Sequence, residues 1–122
     1  MANILRNCNC TFIVGCGHSG NTLIQAILGS HSNIYAVPQE PRLGYRSIEE
    51  INILVKDFDQ QTAFLGKRKW VEKTPINVLR VRELLHRFPK SKIIIMLRDG
   101  RDVAYSLMER YGSIKDKQDI RT

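Results

Sequence analysis

No apolar run in the chain is longer than five residues, Ile93 to Leu97. A helix that crosses a bilayer needs about 20 such residues, so no membrane span is expected. Arg6, Asn7, Asn9 and Thr11 break up the N-terminal stretch where a secretion signal would be continuously apolar. Cysteine is scarce and odd in number, being Cys8, Cys10 and Cys16 alone. That excludes a disulfide framework. The Cys8-x-Cys10 spacing is not that of a zinc knuckle, and no second pair or histidine cluster completes a metal site. All three read as reduced thiols in a cytoplasmic-type compartment. Aromatic residues make up only 7% of the chain, which leaves no platform for stacking bases, so nucleic acid is not an expected partner. Repeats, low-complexity tracts and Pro/Gly/Ser linkers are also missing. The 122 residues, 43% hydrophobic and 25% charged, have the size and composition of one globular domain, residues 1–122.

Basic charge is scarce in one half and abundant in the other. Residues 1–65 carry Arg6, Arg42, Arg46 and Lys56 against five acids, for a net −1. Residues 66–122 carry fifteen Lys and Arg against seven acids, for a net +8. A basic half points either to an anionic partner or to a solvated basic face.

Strand-like and helix-like stretches alternate. Thr11–Val14 reads as a buried strand ending at Gly15. Gly20–Leu28 carries Leu23, Ile24, Ile27 and Leu28 at helical spacing and stops at Gly29. Ile34–Val37 is a second strand, stopped by Pro38. Ser47 or Asn52 opens a helix along Ile48, Ile51, Leu54, Val55 and Phe58. Trp70–Glu72 is a third short strand before Thr74-Pro75. Asn77 to Phe88 reads as a helix with Val78, Leu79, Val81, Leu84 and Leu85 on its apolar side. Lys92–Leu97, apolar almost throughout, is expected to be a parallel strand buried on both faces. Asp99 to Tyr111 is the last helix. The alternation predicts an α/β fold, a parallel sheet with helices on both faces. Four strands are few for such a sheet, so the sequence is expected to be the N-terminal portion of a longer protein or a cut-down form of one.

Three motifs carry chemistry. Gly15-Cys16-Gly17-His18-Ser19-Gly20-Asn21-Thr22 joins the first strand to the first helix. Backbone N–H groups of such a turn converge on a phosphate, and the helix N-terminus adds partial positive charge. The spacing nearly matches the nucleotide P-loop, with Asn21 where the lysine would stand. Asn21 supplies no cation for a triphosphate, so the loop suits a smaller anion with His18 as a nearby donor. The alternative is a plain glycine-rich turn. The second motif, Arg98-Asp99-Gly100-Arg101-Asp102-Val103-Ala104-Tyr105-Ser106, follows the strongest strand. Ligands sit beyond the carboxyl ends of strands in such sheets, where Arg98 and Ser106 would clamp a second phosphate. The competing reading is a surface pair, Arg98–Asp102 or Asp99–Arg101. The third, Trp70-Val71-Glu72-Lys73-Thr74-Pro75, places Lys73 at a strand end, either turned to the same edge or simply solvated.

Taken in order, these motifs resemble the sulfotransferases that use 3′-phosphoadenosine 5′-phosphosulfate (PAPS). GCGHSGNTLI is similar to the family's 5′-phosphosulfate loop, KIIIMLRDGRDVAYSL to its 3′-phosphate motif, and VEKTP to a lysine-bearing motif of the carbohydrate and tyrosyl-protein branches. The likeness extends over residues 11 to 111 and also touches the bacterial members. It implies a fold related to the P-loop nucleotide kinases and a metal-free, in-line transfer of a sulfuryl group from PAPS to a hydroxyl or amine. It further implies that Gly17 and Ser19 to Thr22 hold the 5′-phosphate, with His18 in place of the family's Arg or Lys, and that Arg98 and Ser106 hold the 3′-phosphate. Glu40, in Pro38-Gln39-Glu40-Pro41, matches the position where some branches carry a glutamate base. Lys73 would contact the donor near the transferring group. The acceptor could be a carbohydrate, a protein tyrosine or a small molecule. Asn21 departs from the family's usual Thr, and the family's catalytic domains are generally about twice this long. A P-loop kinase and a non-catalytic nucleotide-binding fragment are the competing readings.

Overall fold

The computed structural model describes residues 5–15, 20–97 and Met108. The expected site residues Gly17, His18, Ser19, Arg98 and Ser106 lie outside the described residues. So does the helix expected from Asp99 to Tyr111, Met108 excepted. In chain order the elements are β1 (Cys10–Gly15), α1 (Asn21–Gly29), β2 (Ile34–Ala36), a 3-10 turn (Leu43–Tyr45), α2 (Ile48–Phe64), β3 (Lys69–Lys73), a second 3-10 turn (Pro75–Arg80), α3 (Val81–Arg87) and β4 (Lys92–Met96). The four strands form one sheet in the order β2-β3-β1-β4, and every pairing is parallel. The architecture is the expected α/β one, a parallel sheet flanked by helices.

The register assigns the faces. Cys10 stands beside Trp70, Phe12 beside Glu72, and Ile13 beside Lys73. Side chains alternate along each strand, so Cys10, Phe12, Val14, Trp70 and Glu72 share one face while Ile13, Val71 and Lys73 share the other. The first face holds the main core. Phe12, Val14 and Trp70 pack there with Ile51, Val55 and Phe58 of α2, Leu84 of α3 and Phe88. The rings meet edge to face, Phe58 on Trp70 at 5.1 Å and Phe12 on Phe88 at 5.1 Å between centroids, the arrangement that ring quadrupoles favour. The Trp70 indole N–H donates to Asp59 Oδ1 at 3.0 Å, so its polar atom is not left without a partner in the core. Helix α1 covers the second face.

Local chemistry explains where the elements start. Helix α2 begins at Ser47, whose hydroxyl accepts from the Glu50 N–H at 3.2 Å while Glu50 Oε1 accepts from the Ser47 N–H at 3.1 Å. This reciprocal pair satisfies two N–H groups that the helix cannot, and it selects Ser47 over Asn52. The segment expected as a helix from Asn77 to Phe88 differs. It opens two residues earlier as a 3-10 turn at Pro75 and becomes α-helical only at Val81. Proline is suited to a first helical position because it has no N–H to leave unpaired. Leu79 and Leu85, expected on the apolar side, are 73% and 43% exposed. Val78, Val81 and Leu84 do pack against the core, at the three-residue spacing that a 3-10 opening favours, so the buried stripe is narrower than expected.

Strand β4 also departs from expectation. It is half-buried, not buried on both faces, with Ile95 at 50% exposure. Among the described residues it pairs with β1 alone, at the sheet edge. Its apolar sequence satisfies either position, and it is β1, central and with Phe12, Ile13 and Val14 at 0% exposure, that is buried on both faces.

Candidate functional site

Among the described residues, the topology opens a crevice between β1 and β3. The connection leaving β1 runs toward β2 on the α1 face, and that leaving β3 runs past β1 to β4 through α3 on the other. Adjacent parallel strands whose connections diverge leave an opening beyond their carboxyl ends. Gly15 ends β1 there and Lys73 ends β3.

Gly15 has φ 144°, and a Cβ on it would run into the Met96 carbonyl oxygen of β4. Only glycine lets β1 end that close to its neighbour. Gly20, at φ 88°, is the N-cap of α1. Its carbonyl accepts the first helical bond, from the Ile24 N–H at 3.1 Å. Asn21 is buried at the first helical position, and Thr22 follows. The first turn of α1 contains no acidic side chain, so the partial positive charge of the helix N-terminus is not offset from within that turn.

Three of the expected site residues come together in this crevice. Lys73 Nζ donates to Thr22 Oγ1 at 3.4 Å and lies 3.6 Å from Glu40 Oε2. The Lys73 side chain is only 13% exposed and that of Glu40 43%. Neither is the freely solvated group that its residue type would suggest. An ion pair this open to water contributes at most about 1 kcal/mol to stability, so its consequence is positional. It fixes an ammonium between a hydroxyl at a helix start and a carboxylate on a turn.

Two clefts adjoin that turn, residues 38–41. One, of about 430 Å³, is lined by Thr22, Gln25, Ala26, Ala36, Val37 and Pro38. The other, of about 260 Å³, includes Tyr35, Glu40, Arg46, Asp57 and Phe58. Gln25 Nε2 donates to the Val37 carbonyl at 2.9 Å, which ties α1 to the start of the turn.

Behind Lys73 lies a group that the sequence motifs do not single out. Glu72 points into the opposite face and is completely buried, as are Thr74 and Asn77. Burial pushes the Glu72 carboxyl up to about 7, against the opposing effect of hydrogen bonds from the Thr74 hydroxyl, the Leu43 N–H and Asn77, and the Glu40 charge adds to the rise. A signal for it was present. In a strand, Glu72 must share the face of Trp70 two residues earlier, and tryptophan marks the core side.

Far from the crevice, Cys8 and Cys10 are buried free thiols. Cys10 is held protonated, its pKa driven up by the hydrogen bond to Cys8 and then by burial. Among the described residues, no group of three or more His, Cys, Asp or Glu is arranged to hold a metal ion, and no helix is long and apolar enough to cross a membrane.

Comparison with protein families matches the chain to the sulfotransferase family over residues 46–119. That is more than half of the chain, and the chain belongs to this family. The matched stretch contains Lys73, Arg98 and Ser106, while Gly20 to Thr22 and Glu40 precede it. Comparison with curated proteins gives no match.

Proposed function

We propose that the protein transfers a sulfuryl group from PAPS to a hydroxyl or amine, in line and without a metal. The observation that carries this reading is the Thr22–Lys73–Glu40 constellation beyond the carboxyl ends of β1 and β3. Membership of the sulfotransferase family supports the chemistry in general.

The roles follow from charge. The acceptor oxygen or nitrogen attacks sulfur, the bond from sulfur to the 5′-phosphate oxygen breaks, and adenosine 3′,5′-bisphosphate departs. Negative charge builds on that bridging oxygen, and an ammonium fixed beside it stabilises the transition state more than the ground state. Lys73 is the group for that task. Glycine-turn N–H groups, Thr22 and the start of α1 bind the 5′-phosphate, with Gly17, His18 and Ser19 completing the loop. Arg98 and Ser106 bind the 3′-phosphate. Glu40 takes the acceptor proton as the new bond forms. It lines a cleft with Tyr35, Arg46 and Asp57, polar walls suited to a hydroxylated or amine-bearing acceptor. The buried, reduced cysteines fit a cytoplasmic-type compartment.

Two measurements test this reading. Adenosine 3′,5′-bisphosphate without metal is expected to raise the Tm more than ATP with Mg²⁺ does, because no lysine stands at the P-loop position. Stronger stabilisation by ATP-Mg²⁺ would favour a kinase. Glu40→Gln is expected to lower PAPS turnover by about 10²–10⁴, the usual contribution of a general base, and to leave adenosine 3′,5′-bisphosphate affinity nearly intact. The assay uses N-acetylglucosamine, a tyrosine peptide and a simple phenol as acceptors. Unchanged turnover in that variant would remove Glu40 from the mechanism.

A further inference from the structure

Glu40 sits on a turn whose backbone is held in a costly conformation on both sides. Gln39 has φ 65° and Arg42 φ 56°, the left-handed region that side-chain-bearing residues avoid. Such a turn keeps its shape only where its surroundings determine it.

The determining contacts come from one short segment, the end of β3 and the turn after it. Three consecutive backbone N–H groups donate to three of its side chains. Arg42 donates to Thr74 Oγ1 at 3.2 Å, Leu43 to Glu72 Oε2 at 3.4 Å, and Gly44 to Asn77 Oδ1 at 3.2 Å. The acceptors are joined to one another. Asn77 Nδ2 donates to Glu72 Oε2 at 3.1 Å, and the Thr74 hydroxyl donates to the Glu72 carboxylate. All three side chains are at 0% exposure. The approach is close, since a Cβ on Gly44 would lie 2.7 Å from Arg80 Cβ and 2.9 Å from Asn77 Oδ1. Lys73, between Glu72 and Thr74 in sequence, points to the other face and meets the Glu40 carboxylate. One six-residue stretch therefore holds the turn by its backbone and by its reactive side chain at once. A buried polar side chain needs only a partner to be tolerated. Three of them matched to three successive amides form a template.

We propose that Glu72, Thr74 and Asn77 are positioning residues, which fix the 42–44 backbone and through it keep the Glu40 carboxylate against Lys73. The relevance to catalysis rests on the reading of Glu40 as the proton acceptor. The template itself can be tested without turnover. A zero-length carbodiimide joins an amine to a carboxylate only when the two are in contact. In the full chain it is expected to couple Lys73 to Glu40, detected by peptide mass spectrometry. Thr74→Val and Asn77→Ala are each expected to lower that yield by about fivefold or more, the scale of one lost buried hydrogen bond. Amide exchange at residues 42–44 should quicken in parallel. Thr74→Ser, which restores the hydroxyl, should restore both. Thr62→Ala serves as the control for general destabilisation, since buried Thr62 bonds to Phe58 within α2, away from the crevice, and it should leave the coupling yield unchanged. Native yield in both Thr74→Val and Asn77→Ala would overturn the template, as would an equal loss in Thr62→Ala. Loss of coupling together with undiminished turnover in Glu40→Gln would uphold the template while removing the base assignment, so the two claims can fail separately.

Discussion

Glu72 is the residue whose place in the fold most changes its chemistry. In water a carboxyl of its kind releases its proton near 4.5, whereas here burial holds the proton to about 7. Between those values the unfolded chain gives up the proton and the folded chain keeps it, so stability falls as pH rises through that window. At about 1.4 kcal/mol for each pKa unit, the loss from this residue approaches about 3 kcal/mol above pH 7. Urea unfolding at pH 5 and pH 8 should show this difference between the native protein and Glu72→Gln, whose amide cannot ionise. A pH dependence identical in the two would assign the effect elsewhere. Lys73 and Glu72 are neighbours in sequence and differ only in which face of β3 they occupy. The sequence places Lys73 at a strand end, while the burial of Glu72 follows from Trp70 two residues before it, through the alternation of side chains along the strand.

At the level of elements, the approach of β1 to β4 depends on one glycine. Gly15→Ala puts a methyl group against the Met96 carbonyl and forces an L side chain to adopt φ 144°. The expected cost is roughly 2–4 kcal/mol, that of a strained backbone combined with a steric clash. Thermal unfolding should show a Tm lower by roughly 10 °C for a domain of this size. A Tm within about 2 °C of the native value would mean that the end of β1 can shift without penalty. Gly15 was legible in sequence as a strand terminator, while the carbonyl that makes it necessary comes from a strand far along the chain. The start of α2 was equally legible, because the Ser47 and Glu50 cap is local. The 3-10 opening at Pro75 was not. The apolar spacing from Val78 to Leu85 fits an α-helix, and it is overridden where Asn77 is drawn into bonds with Gly44 and Glu72.

Over the whole molecule, the sheet order β2-β3-β1-β4 brings the two halves of the chain to one edge. Thr22 and Lys73 are 51 residues apart in sequence and 3.4 Å apart in space. The near-neutral half contributes Gly15, Gly20, α1 and Glu40, and the basic half contributes Lys73. The excess charge of residues 66–122 thus includes at least one lysine with a defined place among the described residues, against the reading of that half as only a solvated face.

What the sequence determined by itself was the succession of strands and helices, the parallel α/β class, the glycine turn after β1 and the family likeness. These depend on periodicity within a few residues and on backbone chemistry at single positions. Only the tertiary structure decided that β4 lies at the edge among the described residues, that β1 and β3 are neighbours, and that Lys73 meets Glu40 and Thr22 while Glu72 faces the core. The physical reason is that parallel strands are joined through long crossovers. Their order and register are set by which buried faces pack together, here Phe12, Trp70 and Phe88 beneath α2 and α3, and no local pattern along the chain encodes that choice.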